Sequence, residues 1–278
     1  MNTLKRKPLH GQALIYDKDC PMCCVYTSAF IKAGVLDENG REPYNDKASD
    51  SEEWDAERAK NEIALVNYEN GTVTYGIDSM FTVVGHRFGF LKPLFGWKPF
   101  HWCMKKFYSF ISYNRKVIAP PARNAAKITC IPDVDLKYRG LYLLFAWITS
   151  AVILAGFTSL LEPLVPASTF WREILICGGQ IIFQTAALLT IRREEKTMDY
   201  LGNMMTVSLE GALLLTPLML LNYLWAVPAE VAMVYFFSVV LFMFVIHYRR
   251  VKSIGLGVQL CLTWLFYRVM LLPIILWV

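Results

Sequence analysis

Ala13-Leu14-Ile15-Tyr16-Asp17-Lys18-Asp19-Cys20-Pro21-Met22-Cys23 decides how the first part of this chain folds. Four apolar residues predict a strand over Ala13–Tyr16, and Asp17-Lys18-Asp19 predicts a polar turn after it. Pro21 suits the first position of a helix, where a missing N–H costs nothing. Cys23, Tyr26, Phe30 and Ala33 follow at helical spacing, and Gly34 closes a helix over Pro21–Ala33. Cys20 then stands at the helix N-terminus, where unsatisfied N–H groups and the macrodipole favour a thiolate. Cys23 is one turn further in, placed to attack a mixed disulfide formed at Cys20.

Working outward, Asp37–Asn61 is polar and ends in a predicted helix over Glu52–Lys60. Ile63–Tyr68, the turn Glu69-Asn70-Gly71 and Thr72–Tyr75 form a hairpin signature. Asp78 or Ser79 caps a helix through Met80, Phe81, Val83 and Val84. The order strand, helix, strand, strand, helix is that of an α/β thioredoxin-like domain.

Tyr16-Asp17-Lys18-Asp19-Cys20-Pro21-Met22-Cys23 resembles the opening signature of the DCC family of predicted thiol–disulfide oxidoreductases, named for an Asp and two Cys that match Asp17, Cys20 and Cys23. The resemblance continues in Gly71-Thr72-Val73-Thr74-Tyr75-Gly76-Ile77-Asp78-Ser79. It closes in Tyr108-Ser109-Phe110-Ile111-Ser112-Tyr113-Asn114-Arg115. It covers roughly 9–118 and implies thiol–disulfide exchange at Cys20 and Cys23. Two departures stand out. The acidic stretch Asp37–Glu62 replaces a compact second strand, and no proline precedes Ile63, where thioredoxins carry a substrate-contacting proline.

Other readings compete for the same residues. Cys20 and Cys23 form half of a zinc site if His101 and Cys103 complete it. Asp17 is either a turn residue or a buried carboxylate that takes the Cys23 proton. Cys24 points about 100° away from Cys23 around the helix and reads as a small core residue. Cys103, Cys130, Cys177 and Cys261 read as packing. Asn114 and Arg115 read as a structural helix-end pair, with an acidic partner near the cysteines as the other option for Arg115. The aromatic stretch Phe88–Phe110, interleaved with Lys92, Lys98, Lys105 and Lys106, splits between closing a small core and lying at a headgroup interface.

The chain has 278 residues, 55% of them hydrophobic, and a net charge of +5. That fits a soluble domain joined to a membrane region and argues against nucleic-acid binding. Seven cysteines without a paired framework argue against a disulfide-stapled secreted chain, and Met1–Gly11 lacks the apolar core of a cleavable signal. Five apolar stretches are predicted to span a bilayer: Leu141–Leu161, Ile174–Ile191, Met204–Val227, Val231–Ile246 and Ile254–Val278. Arg192, Arg193 and Lys196 lie between the second and third, and Arg249, Arg250 and Lys252 between the fourth and fifth. Lys127, Lys137 and Arg139 precede the first. These basic loops predict an inner-membrane protein with its N-terminal domain in the cytoplasm and its C-terminus outside. Gln184, Glu210 and Gln259 fall at similar depth and predict a polar cluster, while Arg268 lies deeper without an evident partner.

The resulting expectation is a thioredoxin-like domain over 9–118, a basic linker over 119–139 and an all-α membrane domain over 140–278. Its function is thiol–disulfide exchange at Cys20 and Cys23 with Asp17, using neither cofactor nor metal. The partner is a dithiol protein or a low-molecular-weight thiol, glutathione-like by the Pro-containing dipeptide. The alternative is a membrane scaffold or transporter-like protein whose cysteine domain senses redox state or binds a metal.

Overall fold

The computed structural model describes residues 8–44, 54–120, 130, 132–191 and 194–277. The basic N-terminus, Glu52 at the start of the predicted second helix, Lys127, Arg192, Arg193 and Val278 lie outside the described residues. The chain divides into two compact units, Met1–Arg139 and Gly140–Val278.

The first unit is built on a mixed four-stranded sheet in the order β2-β1-β3-β4. Strand β1 (Gln12–Tyr16) is central and buried on both faces, as its unbroken apolar run requires. Helix α1 (Pro21–Lys32) follows, and Gly34 at φ 64° ends it in the left-handed conformation that a glycine adopts without cost. Strand β2 (Arg41–Pro43) then pairs parallel with β1, Leu14 facing Arg41 and Ile15 facing Glu42. Arg41-Glu42-Pro43 carries no apolar alternation, so the sequence alone predicts no strand here. An edge strand takes its register from the strand it joins, and Pro43 is tolerated there for the same reason.

Helix α2 (Ala56–Asn61) is capped by Asp55 and leads into the antiparallel hairpin β3 (Ala64–Asn67) and β4 (Thr72–Tyr75), which pair as the turn signature predicts. Helices α3 (Ile77–Arg87), α4 (Lys92–Gly96) and α5 (Lys98–Ile118) complete the unit. Alternate strand residues fill two cores. Leu14, Leu65, Val35, Leu36, Ile63 and Val83 pack on one face of the sheet, and Ile15, Ala64, Val66, Tyr44 and Ala59 on the other. Phe81 of α3 stacks with Phe95 and Phe100, and all three rings are half-buried. Phe90, Trp97, Trp102 and Phe107 are exposed.

The second unit holds α6 (Leu136–Thr158, which begins in the last residues of the first unit), α7 (Phe170–Thr190), α8 (Thr197–Leu224), α9 (Ala229–Ser253) and α10 (Gln259–Trp277). All five are long and apolar enough to cross a membrane. The third begins at Thr197, seven residues before the predicted Met204, and the fourth runs on through Arg249, Arg250 and Lys252. Backbone hydrogen bonding continues past the apolar edge, since polar side chains at a helix end reach water without breaking it. Gly211 lets α9 close on α8: a Cβ there would collide with the Met243 side chain.

The predicted polar cluster divides differently. Gln184 is fully buried and accepts from Tyr200 and Thr263, while Gln259 is exposed and takes no part. Glu210 is bonded instead by Arg250, Nη2 to Oε1 at 2.6 Å, and Asn203 holds the other arm of the guanidinium. The partner was misread because Arg250 was assigned to a loop. A helix extended to Ser253 brings it inward against α8. Arg268 donates from Nε to Gln180 and lies over the Trp264 ring.

The candidate dithiol site

The site begins with the turn between β1 and α1. The Asp17 carbonyl accepts from Cys20 N–H at 3.2 Å, and the Asp17 carboxylate accepts from Asp19 N–H at 3.0 Å. This turn delivers Cys20 to the N-cap of α1, where its Sγ accepts the Cys23 backbone N–H at 3.4 Å. The Cys20 sulfur thus occupies the place usually filled by a Ser or Asp oxygen. Both thiols are free. Cys20 is only 4% exposed, so the sulfur at the helix start is buried.

Hydrogen bonding to the Cys23 thiol and to its backbone N–H, aided by the Arg115 charge, brings Cys20 down to about 7 against burial and the Asp17 charge. The proton shared with Cys20, burial and the Cys20 charge together push Cys23 far up. Of the two, Cys20 is the thiol that loses its proton first. Burial also raises the Tyr26 hydroxyl, which lies beside Cys23.

Arg115 stands over this turn. Its Nη2 lies 3.3 Å from Asp17 Oδ2 and 2.9 Å from the Lys60 carbonyl, and Nη1 reaches Ser112 Oγ at 3.3 Å. Both partners of the ion pair are 6% exposed. Burial alone would lower Arg115, but the thiols of Cys130 and Cys23 and the Asp17 carboxylate outweigh it. Asp17 shapes the turn and is buried.

Two neighbouring residues complete the frame. Tyr108 Oη accepts the Ile63 N–H at 2.9 Å, satisfying the strand start where the chain lacks a proline. Asn114 Nδ2 donates to the carbonyls of Phe110 and Tyr138 and is structural, as read. The closing segment Tyr108–Arg115 therefore clamps the opening one.

The remaining cysteines separate. Cys24 is half-exposed and its Sγ donates to the Lys18 carbonyl, so it caps the turn rather than filling the core. Cys103 is exposed, not packed. Cys130, read as isolated packing, lies 3.2 Å from Arg115 Nη2, and burial pushes its thiol up to about 12. No local signal marks it, because it comes to the site from outside every motif. The zinc set is not assembled: His101 Nε2 lies 2.6 Å from Asp78, and among the described residues no three His, Cys, Asp or Glu side chains converge.

The chain thus joins a buried N-capped dithiol in a mixed α/β unit to five apolar helices. Comparison with protein-family models, curated proteins and solved structures gives no match.

Proposed function

We propose that this chain is a membrane-anchored thiol–disulfide oxidoreductase whose first unit is thioredoxin-like and of DCC type. The observation that carries the reading is the unequal pair at the start of α1: Cys20 drawn down to about 7 while Cys23 keeps its proton. The order β1-α1-β2 followed by a hairpin and helix, with the dithiol where β1 hands over to α1, supports the thioredoxin-like assignment. The contact between Asp17 and Arg115 supports the family, because it joins the opening and closing segments of the resemblance.

Cys20, as thiolate, attacks a partner disulfide R–S–S–R′, forming Cys20–S–S–R and releasing R′S⁻. Cys23 yields its proton to Asp17, which lines the same cavity, and attacks the Cys20 sulfur. RS⁻ leaves, the dithiol has lost two electrons and the partner has gained them. A second dithiol or thiol returns the pair to its reduced form. The basic residues beside the helices, read by the positive-inside rule, support a cytoplasmic position for this chemistry at the inner membrane.

The test is a redox titration of the full chain in detergent, equilibrated with glutathione buffers, acid-trapped and mapped by tandem mass spectrometry. A single two-electron transition joining Cys20 to Cys23, absent in Cys20→Ser, is expected. No disulfide at any potential, or one that joins Cys24 in place of Cys20, overturns the reading.

A further inference from the structure

Behind the dithiol lies a cavity of about 400 Å³ inside the first unit. Its size falls within the range of about 300–1,000 Å³ that small-molecule ligands occupy. Cys23 lines it and Cys20 does not, so the cavity opens on one sulfur of the pair. Away from Cys23 the wall is hydrocarbon and aromatic, with Met80, Phe81, Val84 and Phe95 from α3 and α4 and Met104 and Phe107 from α5. Three methionines, counting Met22, allow such a wall to adapt to different shapes.

Charge is confined to the Cys23 end. Among the described residues, Asp17 and Arg115 are the only ionisable acid and base lining the space besides the thiol and the phenols, and they are bonded to each other. Arg115 spends its terminal nitrogens on protein atoms, while its buried Nε has no hydrogen-bond partner. That Nε is closed off from the cavity space, so the guanidinium offers an occupant no free donor. A peptide-like thiol bearing several charges would lose its hydration there without replacement.

We propose that the exchange partner of the dithiol is an uncharged, apolar low-molecular-weight disulfide, or the thiol it yields. Its hydrocarbon part occupies this cavity and its sulfur lies at the Cys23 end. This rests on the dithiol reading above and replaces the glutathione-like partner expected from sequence. In the net exchange R–S–S–R takes two electrons from the dithiol and leaves as two R–SH. One proton comes from Cys23 and one from water, and Cys20 and Cys23 are joined as a disulfide.

Two measurements on the full chain in detergent test it. In Cys20→Ser, N-alkylmaleimides from ethyl to hexyl are added, and labelling of Cys23 is scored by mass spectrometry against exposed Cys103 of the same molecules. The reference cancels partition of the reagent into micelles, and the absolute reactivity of Cys23 cancels in the chain-length ratio. Burial of one methylene is equivalent to about fourfold at full effect, so the Cys23-to-Cys103 ratio should rise at least about tenfold across the series. Val84→Phe, or Met80→Phe if that variant fails to fold, should flatten the rise. A ratio that does not climb in the Cys20→Ser protein overturns the proposal. In the unsubstituted chain, dibutyl disulfide should oxidise Cys20 and Cys23 faster than oxidised glutathione does. Faster oxidation by glutathione overturns the apolar partner and leaves the dithiol reading standing. A chain-length rise with no oxidation by either disulfide overturns both.

Discussion

Arg115 Nη2 stands 3.3 Å from Asp17 Oδ2 across 98 positions of sequence, and both side chains are buried. The pair ties the end of α5 to the turn that sets Cys20 on the N-cap of α1. An ion pair of this kind is costly to half-remove, since the surviving charge stays buried. Asp17→Leu should therefore destabilise the first unit by about 3–5 kcal/mol, and the double variant Asp17→Leu, Arg115→Met should recover most of that loss. Denaturant unfolding of the full chain checks this. Additive losses in the double variant would show that the two residues act separately.

Thiol reactivity should follow pH through the Cys20 value. Its thiolate fraction rises as pH passes about 7, so iodoacetamide labelling of Cys20 should climb between pH 6 and 8 and then level. Cys23 should lag throughout. Cys23→Ala removes the thiol and with it the strongest influence lowering Cys20, so the midpoint should move upward. Preferential labelling of Cys24 would contradict this assignment of roles.

Tyr108→Phe should cost about 1–3 kcal/mol, because the buried Ile63 N–H loses its acceptor and nothing replaces it. Hydrogen exchange at the Ile63 amide is the direct readout. Unchanged protection would mean that the hydroxyl contact is dispensable.

Glu210 and Arg250 should behave as a unit in the second domain. Glu210→Leu leaves the 2.6 Å partner of Arg250 missing and should lower the detergent-resistant folded fraction more than Glu210→Leu combined with Arg250→Leu. Equal losses in the single and double variants would sink the coupling.

Sidedness has its own test. Reporter fusions after Val278 and within Glu194–Thr197 should report opposite sides, the latter cytoplasmic. If both report one side, one of the five helices does not cross, and α7, whose apolar stretch is short and flanked by Arg172 and Glu173, is the first to examine.

Local pattern alone was enough for β1, the Pro-initiated α1 closed at Gly34, the β3–β4 hairpin and the existence of five long apolar helices. Each depends on residues within one or two turns of chain, so periodicity, caps and turn chemistry express it directly. The cysteine pair and its polarity were visible for the same reason: the N-cap is a local device. Tertiary structure decided what local pattern does not carry. Strand β2 exists because β1 offers it an edge, and Cys130 reaches Arg115 only through the fold. Cys20 is buried at the helix end, Glu210 finds Arg250 rather than a glutamine because α9 runs on to Ser253, and the cavity beside Cys23 forms between β1 and the helices packed around it. Each of these is a long-range packing result, set by which surfaces must bury each other and which buried polar groups must then find partners.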